Sequence, residues 1–292
     1  MKSLAIIAYT GASFILILII SIYIWNISRL PTKLELFVFD TKGQPSIFIR
    51  TPEDIRILID GGANSDIIRY ITNILPFYSR RIDAVIITGD EGERVSGLVD
   101  VINRYRVGQV VIPVITAKEY GFSSSTDQIY ETLLGAIDSS HVIVRKVQIG
   151  DQIQFGKLSG KIIFPESIDK FKYSKSSPPE LALKLYYGNT SFLLLGDIGV
   201  KAQKLLAGSL RSDEKVAHSA LIVFHNISAT TLFSGLINTI MPEFVIYAQS
   251  TSPDLNKSKT DPLYSVLGDH RFNIKQKNTI EVLSDGESIE IN

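Results

Sequence analysis

IDAVIITGDEGERVSGL (Ile82 to Leu98) passes from an apolar, β-branched run through a short glycine-and-acid loop into a segment of helical spacing. The first seven residues, nearly all apolar, have the pattern of a strand buried on both faces, the kind found in parallel sheets covered by helices. VSGLVDVINRY (Val95 to Tyr105) supplies the helix that would do the covering. The stretch therefore predicts an α/β or α+β protein.

Upstream, LELFVFD (Leu34 to Asp40), SIFIR (Ser46 to Arg50) and IRILID (Ile55 to Asp60) follow one another across the turn clusters TKGQP and TPED, so three antiparallel strands are expected. SDIIRYITNIL (Ser65 to Leu75) gathers Ile67, Ile68, Ile71, Ile74 and Leu75 on one face behind an Asn64 or Ser65 cap, which predicts an amphipathic helix. Downstream, strands are expected at VGQVVIP, VIVRKVQ, DQIQF, KIIFP, ALIVFH, EFVIYA, FNIKQ, TIEVL and SIEIN. Helices are expected around Asp127 to Ile137, at VKAQKLLAG and at ATTLFSGLI, and LALKLYYGNTSFLLLGD (Leu181 to Asp197) reads as a hairpin turning at Gly188-Asn189.

The N-terminus is of another kind. Leu4 to Trp25 carries no charge over 22 residues, about 33 Å as a helix, enough to span a hydrocarbon core. Lys2 before it also suits a secretory leader, but the run is longer than a usual leader core, and Tyr23 and Trp25 stand where interfacial aromatics anchor a retained helix. The expected organisation is a transmembrane anchor and linker over residues 1–33 and one domain over residues 34–292.

Composition removes several chemistries. With 30 basic and 30 acidic residues, no overall field draws the chain onto nucleic acid. Without cysteine there is no disulfide, thiolate zinc site or thiol nucleophile, and a metal would need His, Asp or Glu. The sequence has no G-x-S-x-G elbow and no phosphate-binding G-x-x-x-x-G-K-[ST] loop. His141, His218 and His270 have no ligand spacing. Short basic clusters at Arg80-Arg81, Arg104/Arg106 and Lys170 to Lys175 suit either a DNA backbone or plain solvation.

Several segments together resemble one family. FVFDTKGQPSIFIRTP followed by ILIDGG resembles the opening of the metallo-β-lactamase-like domain at the C-terminal end of ComEC-type DNA-uptake proteins, with Asp40 and Asp60-Gly61-Gly62 kept. Ile82 to Leu98 stands in the place of that family's strand ending in T-H-x-D/H-x-D-H-x-G-G-L, keeping Thr88, Gly97 and Leu98. FLLLGDIGVKAQKLL keeps the G-D of an L-L-T-G-D strand at Gly196 and Asp197; LIVFHNIS lies where the family has H-H-G-S, and KTDP near its late H-P. The resemblance implies a four-layer αββα metallo-β-lactamase-like sandwich after one transmembrane helix, held in the cytoplasmic membrane with the domain outside, and serving competence beside a multi-span ComEC-type permease.

Position by position, the resemblance also implies that the metal site is degenerate. The first-loop ligands fall on Gly89, Glu91, Glu93 and Arg94; the bridging carboxylate on Asp197; the H-H pair on His225 and Asn226; the last His on Asp261. Glycine offers no donor atom, and a guanidinium has no lone pair to give. Asp197 and His225 are the best remaining metal candidates. The expectation is a pseudoenzyme without a cofactor, in which Arg94 replaces the lost cation by pairing with Asp197, Glu93 or both. Two other readings stand beside it: a Mg²⁺ or Mn²⁺ phosphodiesterase or nuclease using Asp90, Glu91, Glu93, Asp197 and Asp261, and a tethered scaffold unrelated to DNA. Asp60-Gly61-Gly62 reads as a turn needed for backbone geometry.

Overall fold

Strand-forming segments come in two kinds, alternating and continuously apolar, and the structure sorts them into two facing sheets. This computed structural model describes residues 11, 13–21, 30–42, 44–76, 78–114, 127–164, 181–196, 198–210, 219–226, 233–248 and 270–292. The first half supplies β1 (Leu34–Phe39), β2 (Ser46–Arg50), β3 (Arg56–Ile59), α1 (Asp66–Ile74), β4 (Arg81–Ile86), α2 (Gly92–Arg104), β5 (Arg106–Pro113), α3 (Asp127–Ser139) and β6 (Ile143–Val147). The second supplies β7 (Gln152–Phe155), β8 (Leu158–Phe164), β9 (Ala182–Tyr187), β10 (Thr190–Leu195), α4 (Val200–Leu210), β11 (Ser219–Asn226), α5 (Ser234–Ile240), β12 (Phe244–Ala248), β13 (Arg271–Asn273), α6 (Ile274–Lys277), β14 (Thr279–Ser284) and β15 (Ile289–Ile291).

One sheet runs β15-β14-β1-β2-β3-β4-β5-β6 and the other β13-β12-β11-β10-β9-β8-β7. β2 runs antiparallel to both β1 and β3 as expected, and β3 through β6 are parallel. The chain's end closes on its beginning, since β14 pairs with β1 from Leu34↔Ser284 to Phe39↔Thr279.

Three apolar clusters define the layers. Ile47, Ile57, Ile59, Ile86, Leu183, Leu185, Phe192 and Ile222 meet between the sheets. Phe48, Leu58, Val85 and Ile87 look outward to Ile71, Val95, Leu98 and Leu133 of α1 to α3. Leu193, Leu195 and Val245 look outward to Leu206 and Ile237 of α4 and α5. Helix, sheet, sheet, helix is the expected αββα order, and it follows from strands buried on both faces, whose outer sides need a cover.

Some boundaries differ from expectation. FNIKQ is not one strand: β13 stops at Asn273, whose side chain accepts the Lys275 amide at 3.1 Å and so caps the single turn of α6. β8 begins at Leu158, ahead of KIIFP, and α5 begins at Ser234, with residues 229–232 of the expected helix outside the described residues. At α1 the N-cap position is Ser65, whose side chain makes no capping bond, and Asn64 just before it accepts the Asp66 amide at 2.9 Å.

Residues 13–21 are helical, and Phe14 to Ile20 are all exposed, from 46% to 70%. Among the described residues no helix is long and apolar enough to cross a membrane. The expected span from Leu4 to Trp25 extends beyond the described residues at both ends.

The turn after β3 is locked against α2 by backbone. The Gly61 amide donates to the Arg94 carbonyl at 2.7 Å and the Gly97 amide to the Gly62 carbonyl at 3.1 Å. A Cβ on Gly97 would strike the carbonyl oxygens of Gly61 and Asn64, which cannot swing aside. Gly97→Ala should therefore lower stability by about 3 kcal/mol, at the upper end of overpacking costs. Gly135, exposed in the middle of α3 with nothing near its missing Cβ, should do the opposite: Gly135→Ala raises stability by about 1 kcal/mol. Paired thermal melts of the two variants test both signs.

Candidate functional site

β3 and β4 run parallel and end side by side, so the residues after them, Asp60 and Thr88, sit at one end of the sandwich. The chain leaves β3 abruptly there, with φ of 56° at Asp60 and 73° at Gly62. Left-handed backbone at an aspartate is uncommon, and here it turns the carboxylate inward. Asp60 Oδ1 accepts the Thr88 amide at 2.9 Å and Oδ2 accepts the Thr88 hydroxyl at 2.5 Å. Asp60 and Thr88 are both buried.

Arg94, in the first turn of α2, completes the group. It is 0% exposed and ranks among the largest fully buried side chains. Its Nη1 donates to Thr88 Oγ1 at 3.1 Å and lies 3.4 Å from Asp60 Oδ2, while its Nε donates to Glu91 Oε2 at 2.9 Å. One cation thus sits between two carboxylates, with the Thr88 hydroxyl relaying between them. Burial pushes the Asp60 carboxyl above the usual aspartate range, and the Arg94 charge and the two Thr88 hydrogen bonds offset part of that.

Gly89 explains how the guanidinium fits. A Cβ there would run into Glu91 Oε2 and come within 3.2 Å of Arg94 Cδ and Nε. A side chain at this position would require the Glu91 carboxylate to shift from its place beside Arg94.

Of the two expected partners of Arg94, Glu93 requires correction and Asp197 lies outside the described residues. Glu93 is exposed; among the described residues Arg94 meets Glu91, Asp60 and Thr88, because the helical turn from Glu91 to Arg94 brings those two side chains together and points Glu93 outward. Of the alternative cluster Asp90, Glu91, Glu93, Asp197 and Asp261, the last two lie outside the described residues, and among the described residues no group of three or more His, Asp or Glu could hold a metal. His225 and Asn226 end β11, at the same end of the sandwich as Asp60, but their side chains lie outside the described residues, as do Asp197 and Asp261 altogether. At the first loop the donor set does not suit a pair of divalent ions: Gly89 gives no ligand, Glu91 is engaged, and a fixed positive charge occupies the centre.

Sequence reasoning treated Asp60 as turn geometry and did not see it as the carboxylate beneath Arg94. The available signal was an ionisable residue closing an all-apolar strand, a place where burial demands a counter-charge.

Truncating Arg94 leaves Asp60 buried without its cation, so Arg94→Ala should cost about 3–5 kcal/mol, read as a drop in denaturation midpoint. Asp60 should also leave a pH signature. Its folded pKa exceeds the unfolded value of about 3.9, so the folded state holds a proton that the unfolded state has released. Its contribution to stability is then fullest below that value and declines as pH rises through the folded pKa. Asp60→Asn should remove this downward slope, which urea titrations across the mildly acidic range would measure.

No family model and no curated protein matches the chain. Solved structures do. It is similar to the metallo-β-lactamase fold protein YhfI from Bacillus subtilis, with 10% identity, covering 82% of this chain and 95% of that one at a TM-score of 0.52. It is similar to CmlA, a diiron β-hydroxylase from Streptomyces venezuelae, at 14% identity and a TM-score of 0.48, covering 74% of this chain and 45% of that one. The chain therefore spans less than half the length of that hydroxylase. A diphosphatase of the PhnP family is similar at 12% identity over 74% of this chain and 85% of that one, with a TM-score of 0.47. At such identities the likeness is one of architecture, and the chain has the metallo-β-lactamase fold.

Proposed function

We propose that this chain is a membrane-tethered, catalytically silent domain of metallo-β-lactamase fold that serves DNA uptake beside a multi-span permease of ComEC type. The observation that carries the silent part is the fully buried Arg94 guanidinium, held by Asp60, Thr88 and Glu91 where the resemblance places a metal ligand. A divalent ion brought within a few ångströms of it meets a like charge in a medium that screens poorly. The tether rests on the uncharged run from Leu4 to Trp25 and on the apolar side chains that Phe14 to Ile20 leave uncovered. A stripe of exposed Phe, Ile and Leu all around one helix suits lipid rather than water. The link to DNA uptake, with the domain outside the cytoplasmic membrane, rests on the ordered sequence resemblance along the chain.

Elemental analysis of the purified full chain after equilibration with Zn²⁺, Mn²⁺ and Mg²⁺ should find no stoichiometric metal. Nuclease assays in Mn²⁺ should match the chelator control. Two transition metals per chain, or Mn²⁺-dependent cleavage lost in Asp197→Asn, would sink the silent reading in favour of an active phosphodiesterase. The tether has its own test: the full chain should float with liposomes, and Leu16→Asp with Ile19→Asp should abolish flotation. A scaffold unrelated to DNA would show no filter binding of single- or double-stranded DNA, whereas a DNA-uptake domain should bind with an affinity that falls as salt rises.

A further inference from the structure

Strand direction fixes which end of the domain meets the tether. β1 and β3 both run antiparallel to β2, and β4 and β5 run parallel to β3. The start of β1 at Leu34, where the chain arrives from the N-terminal segment, therefore lies at the same end as the starts of β3, β4 and β5. Asp60, Thr88 and Arg94 lie at the other end. Lys33, paired with Glu290 at 2.9 Å, pins the arrival point to β15.

The tether end gathers arginines that are far apart in sequence. Arg56, Arg81 and Arg106 open three successive strands, Arg80 precedes β4, and Arg104 ends α2. Arg81 and Arg106 are in register, and the Arg106 amide donates to the Arg80 carbonyl at 2.7 Å. Arg56 is spent on Asp54 at 2.8 Å. Arg81, 52% exposed, donates to the Asp54 carbonyl at 2.7 Å and lies 3.5 Å from the Asp54 and Asp83 carboxylates, and Arg104 holds Asp100 at 3.7 Å. Arg104 is accounted for as a cation at a helix C-terminus. Arg80 and Arg106 are not: both are exposed and form no ion pair among the described residues. Half-exposed Tyr78 stands beside them in the chain.

On the other side of this end the turn between β14 and β15 carries Asp285 and Glu287, whereas Asp54, in the turn before β3, lies among the arginines and pairs with Arg56 and Arg81. The face is thus polarised, with β4 and β5 lying about 14 and 19 Å from β1 at ordinary strand spacing. Residues 26–33 can reach at most about 27 Å even when fully extended, so this face cannot move far from the headgroups.

We infer that the arginine side of this face, Arg80, Arg81, Arg104 and Arg106 with Tyr78, rests on anionic phospholipid headgroups, tilting the domain so that the Asp60–Arg94 end points away from the bilayer. The inference rests on the tether proposed above. Basic residues near an anionic surface each add a modest attraction, and the tether multiplies it by holding the partners together. Phosphate-backbone binding by nucleic acid uses the same chemistry, but at this end the duplex would have to share the space with the membrane.

The chain has no cysteine, so one introduced thiol is unique. Asn103→Cys and Glu93→Cys place a fluorophore on exposed positions at opposite ends of α2, about 15 Å apart. The full chain is reconstituted into phosphatidylcholine vesicles with or without phosphatidylglycerol, carrying a headgroup-attached quencher. With phosphatidylglycerol, quenching at position 103 should exceed that at position 93 severalfold. It should fall to the level of position 93 without the anionic lipid, in high salt, and in the combined Arg80→Glu, Arg106→Glu variant. Equal quenching at both ends, stronger quenching at position 93, or quenching at position 103 indifferent to anionic lipid overturns the inference. So does an oligonucleotide that releases the position 103 probe from the vesicles, which would assign the arginines to nucleic acid. Failure of the chain to float would instead remove the tether itself, a separate and recognisable result.

Discussion

A guanidinium with no access to water must be answered by the protein around it, and that requirement organises the end of the sandwich where β3 and β4 stop. Arg94 is held through Nε and Nη1 by an aspartate on one strand end, a threonine on the next and a glutamate one helical turn away. Each of these positions is set by a different element, so the charge can be buried only when β3, β4 and α2 are all in place. The backbone contacts of Gly61 and Gly97 hold the helix close enough for this to happen. Desolvation makes such an arrangement costly in parts and stable only as a whole.

The layers on either side follow from simpler constraints. Strands apolar on both faces force helices onto the outside of each sheet, and pairing of β14 with β1 gives the first strand a neighbour on each side. In the loop after β4 the absence of a side chain at Gly89 leaves room for the Glu91 carboxylate beside the Arg94 guanidinium.

Much of the frame was legible in the sequence because it depends on periodicity. Ser46 to Arg50 matched its strand, the Gly188-Asn189 hairpin turned where expected, and the four-layer order emerged from the resemblance. Edges were harder: Asn273 ends one element and caps the next, a choice made by one side-chain hydrogen bond that no window average registers. At the site, the sequence singled out Arg94, and the structure places that guanidinium in a buried pair with Asp60 and Glu91. Sequence reasoning missed Asp60 and offered Glu93, because Glu93 is nearer in sequence whereas Asp60 is 34 positions away and becomes a neighbour only through the parallel pairing of β3 with β4.

An inorganic ion has to be found after synthesis, in competition with every other ligand in the compartment. A guanidinium arrives with the polypeptide, in a ratio of one to one set by translation, and it cannot be stripped by chelators or replaced by the wrong element. The positive charge that Arg94 brings to this end of the domain is therefore in place as soon as β3, β4 and α2 have folded around it.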